Sequence, residues 1–228
     1  MKTIGLVGGT GWVSTMEYYR LINLLMNEKK GGLHAARIII YSLNFGEIEA
    51  MQQKNDKLSI MLTLKHAALK LEAAGADCVM LGANTMHQFA DDVQQALRVP
   101  LLHIAEATAS TISQAGLRKV GLLGTKYTME LDFYKEKLAE QSVDTLIPED
   151  NDRTFIQHCI MHELVLNQFL PESKARFLSI IQQLQARGAE GIILGCTEIP
   201  LLIEQTDCDL PLFNTTEIHA RAAVEFSY

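Results

Sequence analysis

Short runs of β-branched and aliphatic residues alternate along the chain with longer stretches in which apolar residues recur every three or four positions. The short runs predict strands at residues 3–8, 37–42, 76–81, 101–104, 120–124, 143–147, 191–194 and 212–214. The longer stretches predict helices at 13–27, 57–74, 128–139, 155–167 and 172–187. Strand and helix alternating in this way predict an α/β protein, with parallel sheets covered by helices on both faces.

The pattern also repeats. Gly75 and the strand leading to Gly82-Ala83-Asn84-Thr85 echo Gly188 and the strand leading to Gly195-Cys196-Thr197-Glu198. The spacing agrees, because 83 − 75 and 196 − 188 are both 8. Ile4-Gly5-Leu6-Val7-Gly8 pairs with Val120-Gly121-Leu122-Leu123-Gly124, and Pro100-Leu101-Leu102 with Pro211-Leu212-Phe213. Chance likeness between βα units competes with this reading, but three echoes in one order favour a duplicated half of roughly 100 residues. Positions 83 and 196 then occupy equivalent C-terminal strand ends, where open α/β sheets bind ligands. Two facing halves would place them on opposite walls of one cleft.

Composition narrows the function. A chain of 228 residues, 48% hydrophobic, can bury one large core or two small ones. A net charge of −7 and a pI near 5.5 exclude a nucleic-acid binder and a basic membrane-surface protein, although a local pocket can still take an anion. The apolar start at Met1–Gly9 is too short for a signal-peptide core, and no run approaches the ~18 residues of a membrane span. Cys78, Cys159, Cys196 and Cys208 lack CxxC spacing, which suits free thiols in a reducing cytosol. A cytoplasmic protein is expected.

Three segments offer chemistry. Gly8-Gly9-Thr10-Gly11 departs from the dinucleotide fingerprint, because Ser14 stands at the third glycine position and no acidic residue closes the second strand. It reads better as a tight turn whose N–H groups, with Ser14 and Thr15 nearby, hold a small carboxylate. His158 and His162 share a helical face beside Cys159, but no third ligand has usable spacing and Glu163 lies outside the His-Glu-x-x-His pattern, so no metal is expected. Cys196 stands where a helix should begin, so the macrodipole is expected to ease ionisation of its thiol; the other three cysteines read as structural. His87, two residues after Thr85, either orients a carboxylate, tunes a thiol, or is a surface histidine on a first helical turn.

Together the motifs Gly8-Gly9-Thr10-Gly11-Trp12 with Ser14-Thr15 and Tyr18-Tyr19, Asn84-Thr85-Met86-His87, and Gly195-Cys196-Thr197-Glu198-Ile199 resemble the cofactor-independent aspartate/glutamate racemases. Gln52, Gly124-Thr125 and Ile218-His219 extend the resemblance over nearly the whole chain. It implies two similar three-layer α/β/α domains related by pseudo-twofold symmetry, residues 1–98 with 211–228 and residues 99–210, with the active site in the cleft between them. It further implies an amino-acid or dicarboxylate substrate, no cofactor, and a homodimer. Cys196 is the implied catalytic group, with Gly9, Thr10, Gln52, Asn84, Thr85, Thr125, Thr197 and Glu198 binding substrate and His87 in support.

One departure is decisive. The family carries a cysteine in both motifs, one for each face of the substrate Cα, and here Ala83 stands in the first. A methyl group carries no proton, and losing one positioned acid/base group costs about 10²–10⁴ in rate. Four readings stay open: a slow or one-handed racemase in which water or a neighbouring group serves the Ala83 face, a one-sided proton transfer as in single-cysteine decarboxylases, a binder without turnover, and an engineered substitution that traps a ligand. No arginine in the motifs clamps a side-chain carboxylate, which leaves room for a broader substrate range.

Overall fold

A computed structural model describes residues 1–228. The first half runs β1 (Thr3–Gly8), α1 (Trp12–Lys30), β2 (Arg37–Ser42), α2 (Phe45–Gln53), α3 (Lys57–Ala73), β3 (Cys78–Leu81), a 3-10 turn (Asn84–Phe89), α4 (Ala90–Gln94) and β4 (Leu101–Leu102). After α5 (Ile104–Gln114) come β5 (Lys119–Gly124), α6 (Lys126–Glu130), α7 (Asp132–Glu140), β6 (Asp144–Leu146), α8 (Asp150–His162), α9 (Pro171–Ala186), β7 (Gly191–Gly195), α10 (Ile199–Leu202), β8 (Leu212–Asn214) and α11 (Thr215–Ser227). All strand pairs are parallel, in the orders β2-β1-β3-β4 and β6-β5-β7-β8. The same order in both sheets is what a duplicated half produces.

Two compact units result: Met1–Ile104 with His219–Tyr228, and Ala105–Ile218. In the first, alternate strand residues feed opposite faces of the sheet. Ile4, Leu6, Cys78 and Met80 pack with α1 and α11, while Val7, Val79 and Leu81 pack with α2 and α3. In the second, β5 and β7 are buried along nearly their whole length. The predicted fold class, parallel sheets flanked by helices, is the observed one.

Two strands stand in the sheet opposite to that expected. Leu101–Leu102 closes the first sheet and Leu212–Asn214 the second, because each pairs with the strand before it: Val79 N–H donates to Pro100 C=O and Ile192 N–H to Pro211 C=O, both at 2.9 Å. The predicted helix at 128–139 is two helices, since Leu131 is extended and Asp132 opens a second one. The helix expected at 155–167 begins at Asp150 and ends at His162; Asn167 then takes a left-handed conformation after a 3-10 turn. No helix is long and apolar enough to cross a membrane.

Candidate active site

The glycine turn after β1 is built differently from expectation. Gly9 sits at φ +80, and a Cβ there would run into the Leu43 carbonyl, so the backbone path requires glycine. Its N–H donates to Thr15 Oγ1 at 2.8 Å, and Thr15 Oγ1 donates on to Gly11 C=O at 3.1 Å. Ser14 Oγ donates to Gly82 C=O at 2.9 Å. Ser14 and Thr15, expected to help hold a carboxylate, instead tie the turn to itself and to the end of β3. The Thr10 hydroxyl is buried and has no hydrogen-bond partner, so it is the polar group this turn still offers.

Ala83 and Cys196 each follow the third strand of their half through a glycine. A Cβ on Gly82 would approach Val7 C=O at 3.0 Å, and one on Gly195 would approach Leu123 C=O at 2.8 Å. Ala83 is extended and partly exposed, and Asn84, Thr85 and His87 behind it are buried. His87 is therefore not a surface residue. Its Nδ1 lies 3.0 Å from the Ala83 carbonyl, four residues back.

His87 belongs to a cluster of histidines, two of them buried and His103 half-buried, that sequence reasoning did not find. Its ring centroid is 4.8 Å from that of His103 and 5.5 Å from that of His219. His219, fully buried on α11, has Nε2 2.7 Å from Leu102 C=O and Nδ1 2.9 Å from the Tyr18 hydroxyl. Burial pushes His87 down to about 3, with the neighbouring His103 adding to the effect. It does the same for His219, also to about 3, with His87 adding to it. Both are neutral imidazoles at ordinary pH. Three histidines spread over residues 87, 103 and 219 carry no local spacing signal.

Cys196 corrects a second expectation. The expected helix does begin after Thr197-Glu198, but α10 (Ile199–Leu202) has only four residues. The macrodipole of so short a helix is weak. Burial, followed by the Glu198 carboxylate, instead pushes the thiol well above its ordinary range. Cys196 Sγ donates to Glu198 Oε2 at 3.1 Å, and Thr197 Oγ1 donates to the same oxygen at 2.7 Å. All three side chains are buried. The arrangement holds one labile proton between a thiol and a carboxylate.

The remaining candidates are dispersed. Gln52 is half-buried near the end of α2. Thr125 caps α6, its Oγ1 accepting from Thr128 N–H at 3.3 Å. His158 and His162 are exposed on α8 with ring centroids 4.5 Å apart, and no group of three His, Cys, Asp or Glu side chains is arranged to hold a metal ion. All four cysteines are free; burial raises Cys78 to about 11, and burial with the hydrogen bond to Glu163 raises Cys159 to about 12.

Residues 7–223 match the family model for Asp/Glu/hydantoin racemases. The chain is 45% identical, with a TM-score of 0.93, to a Yersinia pestis protein provisionally described as an Asp/Glu racemase, covering 100% of this chain and 99% of that one. An aspartate racemase homologue from Pyrococcus horikoshii is 37% identical with a TM-score of 0.85, at the same coverage. The broad specificity amino-acid racemase RacX of Bacillus subtilis is 27% identical over 157 residues, which span 69% of this chain and 67% of that protein.

Proposed function

Because the chain belongs to the Asp/Glu/hydantoin racemase family, we propose that it moves a proton at the Cα of an amino acid through the Cys196 thiol, without pyridoxal phosphate and chiefly from one face. The observation that carries this reading is the buried Cys196–Glu198 pair. Shifting the S–H proton to Glu198 gives a thiolate and a carboxylic acid without changing the net charge of the buried pair. The thiolate takes the α-proton and becomes a thiol, leaving a carbanion that takes a proton back from the same sulfur. The equivalent strand end in the first half carries only the Ala83 methyl group, so a proton returned to the other face of the carbanion comes from water or a neighbouring group.

The donors and acceptors also favour one polarity of ligand. The Thr197 hydroxyl spends its only hydrogen on Glu198, so its oxygen is left as an acceptor. With the Glu198 carboxylate beside it, this segment suits an ammonium group. Gly9, Thr10, Gln52, Asn84, Thr85 and Thr125 stand in this reading as the other binding groups, and the Thr10 hydroxyl suits a carboxylate oxygen. Aspartate, glutamate and other small amino acids are the substrates, and a cytoplasmic homodimer is the expected form.

The test is Cα–H exchange in D₂O followed by proton NMR, with L- and D-aspartate and L- and D-glutamate supplied separately. One enantiomer is expected to exchange with retention, faster than it racemises, and Cys196→Ser is expected to abolish the exchange. Saturable binding by calorimetry with no exchange of any substrate would overturn the catalytic reading. A binder of amino acids or dicarboxylates would then stand in its place, the second reading that the high-lying thiol and Ala83 support. Carbon dioxide release instead of exchange would indicate a single-cysteine decarboxylase.

A further inference from the structure

We infer that His87 is the positioning residue of the motif at position 83, acting through the hydrogen bond from Nδ1–H to the Ala83 carbonyl rather than through charge. The assignment rests on the proposed proton-transfer reading for its kinetic consequence but not for its geometry. A lone pair on Nδ1 would repel the carbonyl oxygen 3.0 Å away, so Nδ1 carries the proton. Nε2 is then the bare acceptor; it is buried and meets no donor. The ring cannot compensate by taking up a second proton, because it is 2% exposed among other imidazoles.

The ring is itself wedged in place. His219, edge-on to His87 at 70°, is fixed at both nitrogens: its Nε2–H donates to Leu102 C=O and its Nδ1 accepts from Tyr18. A chain from Tyr18 on α1 through His219 on α11 to His87 therefore ends on the backbone of Ala83. The polar residues that follow, Asn84 and Thr85, lie inside the turn that this bond closes. Burying the unmatched Nε2 is costly, and the structure tolerates it where a donor to the Ala83 carbonyl is needed.

Asparagine places its amide N–H at the reach of Nδ1 and nothing at Nε2; glutamine reaches the Nε2 position. His87→Asn, His87→Gln and His87→Ala should thus separate. In the full chain, imidazole ¹⁵N–¹H correlation spectra are expected to show His87 protonated at Nδ1 and His219 at Nε2. Amide hydrogen exchange at residues 84–89 is expected to accelerate about tenfold in His87→Gln and His87→Ala, the loss of one net hydrogen bond, and by much less in His87→Asn. Cα–H exchange with the active enantiomer should fall tenfold or more in the first two variants, mostly in kcat, and be largely recovered by asparagine. Equal behaviour of Asn and Gln at the amides, or an Nε2–H tautomer for His87, overturns the assignment. If the wild type exchanges no amino acid, the function proposed above fails, while the tautomer and amide measurements still decide this one.

Discussion

Cys196 Sγ and Glu198 Oε2 stand 3.1 Å apart in a buried segment, with the sulfur as donor. The carboxylate both accepts the S–H bond and repels a thiolate, and burial penalises the ion further. The resting thiol is thus poorly nucleophilic towards outside reagents, although it has a proton acceptor beside it. Glu198→Gln removes the negative charge. Alkylation of Cys196 by iodoacetamide at pH 8 is expected to speed up, because the thiolate loses a repelling neighbour, while Cα–H exchange drops by about 10² or more. Opposite signs in the two assays mark the carboxylate as the acceptor of the thiol proton; slower alkylation would contradict it.

If Cys196 carries the α-proton as proposed, Ala83→Cys adds a second thiol at the equivalent strand end. Chiral chromatography is expected to show racemisation rising by about 10²–10⁴, with both enantiomers now exchanging in D₂O. The site accepts the change sterically, because position 83 is extended and partly exposed. No gain in either direction would mean that more than the thiol is missing.

The buried imidazoles make stability depend on pH. Both His87 and His219 are held down to about 3, against roughly 6.5 in an unfolded chain. Between these values the unfolded chain binds more protons than the folded one, so stability falls as pH drops. The contribution is complete above 6.5 and is lost progressively toward 3, by up to ~1.4 kcal/mol per pH unit for each ring. Urea midpoints at pH 7, 5.5 and 4.5 should decline, and less steeply in His87→Asn, which has one fewer titrating group. A parallel decline in both proteins would contradict a buried neutral His87.

Gly9→Ala should destabilise the fold. The left-handed backbone alone costs about 1–2 kcal/mol, and contact with the Leu43 backbone adds to it. A lower urea midpoint, together with weaker binding of the amino acid, is the expected outcome.

The sheets were legible because each strand is a short apolar run, and the duplication because Gly82-Ala83 and Gly195-Cys196 fall at equal spacing after Gly75 and Gly188. The break at Leu131 was not legible: its residues suit a continuous helix, and an extended backbone at one position splits it. The domain boundaries implied by the resemblance put Leu101–Leu102 and Leu212–Asn214 in the wrong units, whereas the echo of Pro100-Leu101-Leu102 in Pro211-Leu212-Phe213 gave them equivalent places in the two halves, as the sheets have them.

By itself the sequence determined the α/β class and the repeat, since these depend on residue identity and spacing. Only the tertiary structure decided the state of the groups that remain. Proximity to a helix start suggested an easily ionised Cys196, but burial and Glu198 reverse the sign. Ser14 and Thr15 carried hydroxyls suited to a ligand, and the fold engages both. His87, Tyr18 and His219 come from distant parts of the chain and meet only when α1 and α11 pack on one face of the first sheet. Protonation and hydrogen-bond roles depend on solvent exclusion and on neighbours brought together by folding, and neither is written in local sequence.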